Sequence, residues 1–354
     1  MNAVEGHDQT EFTFPLPKVA SWIVTNRCNL SCSHCYPASG PESFPGELNE
    51  DDCYQVVDNL ADAGFQVVYL SGGEVCLLHY LAPLIERIVN RGMQAWICTN
   101  GWFIDEALAV RLAACGLSGA TVSIDHPDAD THDRFRDRKA SYARAVGAIK
   151  LLRRHNVEVF IDYTATLQNA NEATRLVDLA DELGVATLSV KRFRPIGRGR
   201  KFEGMFQLDI ADYAQLMAAF AAKAETSQVA IQFFDPSACA AAKSRLWMIN
   251  EKTGEDFGCL AGRTWVGIMP DGTLTPCPLL NLPIGNVLAG RVAEKINNSE
   301  EIQKIVKREE RQGVCGECHH KKSCGGCRAH VFVASGDYLD EDPYCMARYL
   351  ESDR

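Results

Sequence analysis

From Ala20 onward the chain alternates short, β-rich apolar runs with longer stretches whose apolar positions recur at helical spacing. The runs are Ser21–Thr25, Gln66–Ser71, Gln94–Thr99, Ala120–Asp125, Val157–Tyr163 and Ala186–Arg192, short enough and apolar enough to predict buried strands. Between them, residues 50–63, 78–91, 104–115, 141–155 and 170–183 carry the helical pattern, and several of these stretches end in glycine (Gly64, Gly92, Gly116, Gly184), as helix C-termini often do. Such repetition predicts an α/β fold with a parallel sheet and right-handed crossovers. Six units are too few for a closed eight-stranded barrel.

A further helical stretch at 209–224 and a short apolar run, Val229–Phe234, lead into a segment where the alternation stops. Trp265–Met269, Pro270–Asp271–Gly272 and Thr273–Thr275 read as a hairpin around an Asp–Gly turn. A polar helix is expected near 299–310. The last fifty residues are dense in cysteine and short of apolar runs, so they need metal to hold them. The expected division is an N-terminal arm at 1–19, an α/β unit at 20–235, and an irregular cysteine-rich unit at 236–354.

With 354 residues, 46% of them hydrophobic, the chain can bury one large core and a smaller one. A formal charge of −10 argues against wholesale nucleic-acid binding. No apolar run reaches the length of a membrane span, and the N-terminus, with Glu5, Asp8 and Glu11, lacks the start of a signal peptide. A cytoplasmic protein without a membrane partner is expected. In that compartment the fifteen cysteines do not suggest disulfides. Ten fall into motif-like groups; Cys53, Cys76, Cys98, Cys115 and Cys239 are scattered and are assigned to packing.

The first group is Cys28–Asn29–Leu30–Ser31–Cys32–Ser33–His34–Cys35–Tyr36, which follows the first strand. A short loop with this spacing can wrap three thiols around one corner of a [4Fe–4S] cluster. Such clusters are usually held by four cysteines, so one iron would stay open. A zinc loop is the other reading, although zinc sites usually pair two C-x-x-C elements or add histidines. The stretch closely resembles the cysteine loop of the radical S-adenosylmethionine (radical SAM) superfamily. The resemblance implies an open (β/α)6 partial TIM-type barrel, with the amino and carboxylate groups of SAM chelating the open iron. It further implies that an electron, from a donor such as flavodoxin or ferredoxin, cleaves SAM to a 5′-deoxyadenosyl radical that takes a substrate hydrogen.

In parallel α/β sheets chemistry collects at the C-terminal ends of the strands, and the remaining motifs lie there. Gly72–Gly73–Glu74 follows the second strand and resembles the family's SAM-binding turn. Its glycines would let the backbone approach the methionyl end, and the Glu74 carboxylate would help receive the ammonium. The family usually continues with Pro, where this chain has Val75 and Cys76. Tyr36 stands at an aromatic position that the resemblance places by the adenine. Ser123 and Asp125, ending the fourth strand, would contact the ribose or the methionine carboxylate. Asn100, after the third, is either a SAM contact or a turn former.

Cys259, Gly272, Cys277, Cys315-x-x-Cys318, Cys324-x-x-Cys327 and Cys345 resemble the SPASM extension of radical SAM enzymes, which holds two auxiliary [4Fe–4S] clusters. By that resemblance Cys315, Cys318, Cys324 and Cys345 bind the outer cluster, while Cys259, Cys277 and Cys327 bind the one nearer the barrel. A structural zinc would use the two C-x-x-C pairs but leave Cys259, Cys277 and Cys345 unexplained. His319, His320 and His330 are read as solvent or packing residues.

After the sixth strand, Lys191–Lys201 holds six basic residues in eleven. Arginine forks bind carboxylates in bidentate fashion, so this loop is expected to receive an acidic substrate, with Arg194 as a possible SAM contact. The tail around Cys324–Ala329, Gly336–Leu339 and Glu341–Cys345, with His132–Arg136, resembles the haem-pathway branch: iron-coproporphyrin decarboxylase, didecarboxysiroheme deacetylase and denitrification-haem maturases. Mycofactocin-type peptide maturases share much of this tail. They often carry an N-terminal peptide-recognition domain, for which about twenty residues are too few. The resemblance thus implies a radical SAM enzyme removing or oxidising carboxylate side chains of a tetrapyrrole. The alternatives are a peptide maturase that crosslinks, epimerises or decarboxylates, and a non-catalytic iron–sulfur carrier.

Overall fold

The computed structural model describes residues 15–237 and 258–352; Cys239, expected to pack, lies outside them. All six expected strands form: β1 (Val19–Thr25), β2 (Val67–Gly72), β3 (Gln94–Thr99), β4 (Gly119–Ser123), β5 (Glu158–Ala165) and β6 (Thr187–Arg192). Each pairs in parallel with the next. Helices α1 (Glu50–Asp62), α2 (Leu81–Asn90) and α3 (Glu106–Ala114) make the first crossovers, followed by α4 (Ala129–Phe135), α5 (Ser141–Arg154) and α6 (Arg175–Glu182). Side chains start several of them. Asn49 and Asp52 form a capping box on α1, and Asp105 caps α3, each satisfying N–H groups that a helix cannot pair itself.

The sheet does not stop at six strands. β7 (Ala230–Phe233) adds parallel to β6, and β8 (Trp265–Ile268) adds parallel to β1. The hairpin expected in the second segment, β8 with β9 (Thr273–Thr275), therefore belongs to the barrel sheet. β10 (Gly285–Asn286) completes the order 10-9-8-1-2-3-4-5-6-7. The two edges of the sheet, β7 and β10, do not pair, so the barrel stays open; Phe234, just after β7, and Trp265 of β8 lie edge to face at 6.2 Å.

Strand alternation gives each face a role. Trp22, Val24, Val68, Leu70, Ala95, Ile97, Val122, Ile161 and Val190 point outward into one core shared with the helices. The inner face carries Tyr69, Trp96, Phe160 and Trp265 in a chain of ring contacts 4.9–5.6 Å apart. That aromatic layer fills the lumen below. Above it, toward the strands' C-terminal ends, the same face turns polar: Ser71, Cys98, Ser123, Asp162 and Lys191. No described helix is long and apolar enough to cross a membrane.

Candidate active site and cluster ligands

The cysteine loop leaves β1 and closes on itself, Cys28 N donating to Gly40 O at 2.6 Å and Gly40 N to Asn26 O at 3.2 Å. The basic loop after β6 clasps it. Arg198 donates Nη1 to Cys32 O at 2.8 Å and Nη2 to Ala38 O at 3.1 Å and to Ser39 O, while its backbone N reaches Cys35 O at 3.1 Å. Leu30 N donates to Cys28 Sγ at 3.4 Å.

Gly72 and Gly73 press against the root of this loop. A Cβ at Gly72 would stand 2.2 Å from Thr25 O, and one at Gly73 2.0 Å from Arg27 O. Gly73 N and Glu74 N donate to those same two carbonyls, each at 2.8 Å. The glycines are therefore required by contact with the protein's own backbone, just ahead of Cys28. Glu74, expected to receive an ammonium, is fully buried. Its Oε1 accepts from Thr99 Oγ1 at 2.7 Å and Cys76 N at 3.1 Å, and its Oε2 from Asn100 N at 2.8 Å. It binds the ends of β2 and β3 together. Burial pushes its carboxyl up, and these donors oppose that.

Asn100 carries the brace to the cysteine loop, its Nδ2 donating to Asn29 Oδ1 at 2.9 Å and lying 3.9 Å from Cys28 Sγ. Asp125, expected at the ribose or carboxylate of SAM, is likewise fully buried. Its Oδ2 takes both Nε and Nη2 of Arg136 at 2.6 Å, and its Oδ1 takes Thr164 N at 3.0 Å. Burial is the strongest influence and works against its charge, yet Arg136, His34, His132 and the Thr164 N–H together outweigh it and hold the carboxyl below the ordinary value. Ser123 is half-buried on the lumen side, and Tyr36 lies 3.5 Å by its hydroxyl from Ser71 Oγ. Sequence reasoning gave no role here to Arg136, whose carbonyl is 3.7 Å from Cys32 Sγ, or to His34, which stacks on Phe135 at 4.4 Å, and expected Arg198 at an acidic substrate rather than at this loop. His34 stood within the motif itself, and its ring between two cysteines was the available signal.

In the C-terminal segment Cys315, Cys318, Cys324 and Cys345 line one cavity. Cys259, Cys277 and Cys327 lie within each other's electrostatic reach. Backbone N–H groups aim at several of these sulfurs: His320 N at Cys318, Gly326 N at Cys324 and Asp342 N at Cys315, at 3.3–3.4 Å. Gly325 and Gly326 both take positive φ, 70° and 62°, which suits only glycine in succession and turns Cys327 away from Cys324. Burial pushes the Cys28 and Cys277 thiols up to about 12, so iron must displace a firmly held proton. Soft sulfur donors in groups of three and four, with N–H groups directed at them, fit iron–sulfur clusters.

Two expectations change here. Arg194, expected as a SAM contact, has its guanidinium taken up by the protein: its Nε donates to Cys327 Sγ at 3.0 Å and its Nη2 to Phe234 O at 3.0 Å. The basic loop is also less available than its composition suggests. Arg192 is buried between the rings of Tyr213 and Tyr344, 4.4 and 4.5 Å from their centres, and Arg198 serves the cysteine loop. Cys98, assigned to packing, is half-buried on the lumen face, whereas Cys53 is fully buried on the core-facing side of α1. A separate open cavity of about 500 Å³ lies between Pro195–Arg200 and the helix Arg328–Ser335, with Leu279 and Phe332 in its walls and Arg200 at its edge.

Comparison with known proteins agrees with this architecture. A family model of the radical SAM superfamily matches residues 22–180, and one of an iron–sulfur cluster-binding domain, SPASM, matches 259–327. The chain is 31% identical over 341 residues to an AdoMet-dependent heme synthase of Methanosarcina barkeri, spanning 94% of this chain and 97% of that protein. It is 29% identical over 349 residues to the mycofactocin maturase MftC of Mycobacterium ulcerans, spanning 97% and 91%. Among solved structures, Streptococcus suis SuiB bound to S-adenosylmethionine superposes with a TM-score of 0.76 at 18% identity, over 93% of this chain and 77% of that one, a likeness of fold. The chain belongs to the radical SAM superfamily, as an enzyme that uses S-adenosylmethionine and a [4Fe–4S] cluster and carries a C-terminal SPASM domain for auxiliary iron–sulfur clusters.

Proposed function

We propose that this enzyme removes or oxidises carboxylate side chains of a tetrapyrrole in haem-type cofactor biosynthesis. One observation carries the reading: likeness to an AdoMet-dependent heme synthase runs through 94% of this chain and 97% of that protein, well beyond the cluster motifs. The cavity beside Arg200, with Ile196, Leu279, Phe332 and Val333 in its walls, suits a flat apolar ring with acidic arms. When bound, SAM and its cluster supply a carbon radical that can take an unactivated hydrogen. A propionate arm would then give up one hydrogen atom, one electron and carbon dioxide, leaving a vinyl group, with an auxiliary cluster as the electron acceptor.

In this reading Cys28, Cys32 and Cys35 hold the SAM cluster. Cys315, Cys318, Cys324 and Cys345 hold one auxiliary cluster, supported by their common cavity, and Cys259, Cys277 and Cys327 the other. Tyr36, Ser123 and the Gly72–Gly73 backbone face SAM. Glu74, Asn100 and Asp125 position that site through the protein, and the 20–235 and 236–354 units divide the two kinds of cluster. The enzyme works in the cytoplasm with a flavodoxin or ferredoxin as electron donor; no disulfide is present among the described residues.

Likeness to MftC over 97% of the chain favours a second reading, a peptide maturase. Anaerobic reconstitution, followed by SAM, dithionite and either iron-coproporphyrin or candidate peptides, separates the two. The expected result is 5′-deoxyadenosine together with a porphyrin lighter by carbon dioxide and two hydrogens. Unchanged porphyrin beside a modified peptide overturns the tetrapyrrole reading.

A further inference from the structure

Within the polar upper layer of the lumen, Lys191 of β6 donates from Nζ to Asp162 Oδ2 of β5 at 2.5 Å. Strand register places them on the same face, Thr164 opposite Lys191 and Asp162 opposite Ser189. The Lys191 side chain keeps 36% of its surface and that of Asp162 16%, although both sit among barrel residues. The ammonium lies 5.5 Å from the ring of Phe234, and the Asp162 Oδ1 oxygen is buried with no hydrogen-bond partner. An ammonium has three donors, and Asp162 occupies one. Desolvation works against the charge, but Asp162 and Cys98 outweigh it and hold Lys191 above the ordinary lysine value.

The other cations of the same run are differently placed. Arg192, Arg194 and Arg198 are committed to aromatic rings, to a thiol and to loop carbonyls, Arg200 edges the outer cavity, and Lys201 is exposed. Lys191 is thus the cation of the run that faces the lumen, where a substrate's reacting arm must come. We propose that Lys191 is the anchor for one carboxylate arm of the substrate, drawing it into the lumen, and that Asp162 is its competing internal counter-ion. This rests on the tetrapyrrole reading above. The arrangement keeps the ammonium charged before substrate arrives and makes the incoming carboxylate share it with Asp162, a like charge.

A shared ammonium makes the two partners act with opposite sign. Removing Lys191 takes away the attraction, whereas removing the Asp162 charge takes away the repulsion and leaves more of the ammonium for the substrate. A purely structural ion pair would show loss from either side. The test is anaerobic calorimetric titration of the cluster-loaded protein with iron-coproporphyrin and, as comparison, its tetramethyl ester.

Lys191→Met is expected to weaken binding of the free acid by about tenfold or more, Lys191→Arg to retain most of it, and Asp162→Asn to tighten it several-fold. The ester should bind wild type and Lys191→Met alike. Should wild type bind no iron-coproporphyrin, the tetrapyrrole reading falls and this inference with it. If wild type binds and Lys191→Met binds equally well, or if Asp162→Asn weakens binding as Lys191→Met does, the inference alone falls.

Discussion

Arg194, two residues beyond β6, donates its Nε–H to the sulfur of Cys327 across 3.0 Å and 133 positions of sequence. Its other nitrogens reach Arg192 O at 3.3 Å and Phe234 O at 3.0 Å, so the guanidinium is fixed in place by the barrel. Hydrogen bonds and positive charge at a ligating sulfur stabilise the reduced, more negative form of an iron–sulfur cluster. Replacing Arg194 with Gln should therefore lower the midpoint potential of one auxiliary cluster by tens of millivolts and leave the SAM cluster where it was. Redox titration followed by electron paramagnetic resonance reads each cluster separately. An unmoved auxiliary potential would show that this contact does not tune it.

Glu74 gives a prediction in which stability and cofactor binding separate. Both of its oxygens accept hydrogen bonds from the protein, so Glu74→Gln would turn an amide NH2 toward at least one N–H or O–H donor. That mismatch should cost about 1–3 kcal/mol, seen as a lower anaerobic melting temperature. SAM affinity of the protein that remains folded should change little. A carboxylate that gripped the SAM ammonium directly would give the reverse, weak SAM binding with unaltered melting.

Arg198 ties three carbonyls of the cysteine loop, and none of those bonds involves substrate. Arg198→Ala should leave the loop's carbonyls to water and let it open more often. Iron loss from the SAM cluster to an external chelator should quicken by about tenfold, in line with one or two charge-assisted bonds removed. Chelator kinetics indistinguishable from wild type would mean that the loop holds itself.

These residues also mark how far one sequence could be read. The six central strands were legible because each keeps one face apolar against the helices, as Val68 and Leu70 or Ala95 and Ile97 do. Val229–Phe234 stood out as an apolar run and Trp265–Met269 as a hairpin strand, but β7 and β8, of four residues each, carry no local sign that they extend the barrel sheet. The β1–β8 pairing joins Val19 to Trp265, a contact no local pattern encodes. Cysteine spacing marked the candidate ligands because ligation depends on local geometry. The charged residues were harder. Glu74 and Asp125 lie at strand ends, where ligands bind, yet whether a carboxylate there meets a cofactor or its own backbone depends on donors such as Thr99, Asn100 and Arg136. Likewise six basic residues in eleven suggested an anion site, but aromatic rings from Tyr213 and Tyr344 and the Cys327 thiol claim two of them.

His132 makes the fold acid-sensitive in a definable way. It is buried at 1% exposure in α4, its Nδ1 accepts from Asp125 N at 3.1 Å, and its ring meets Tyr142 edge-on at 5.7 Å. Burial first, and Arg136 second, lower it from 6.5 to about 4, so the native ring stays neutral where the unfolded ring is protonated. Between those two values the unfolded chain holds the extra proton, and stability therefore falls as pH drops through that window. The full shift corresponds to roughly 3 kcal/mol. His34, also lowered to about 4 by burial, adds a loss of the same sign. His132→Gln offers an amide oxygen to the Asp125 N–H but does not titrate. Its melting temperature should fall less than that of wild type between about pH 7 and about pH 5, with a remaining slope from His34. Parallel pH profiles for the two proteins would mean that His132 is not buried as a neutral acceptor.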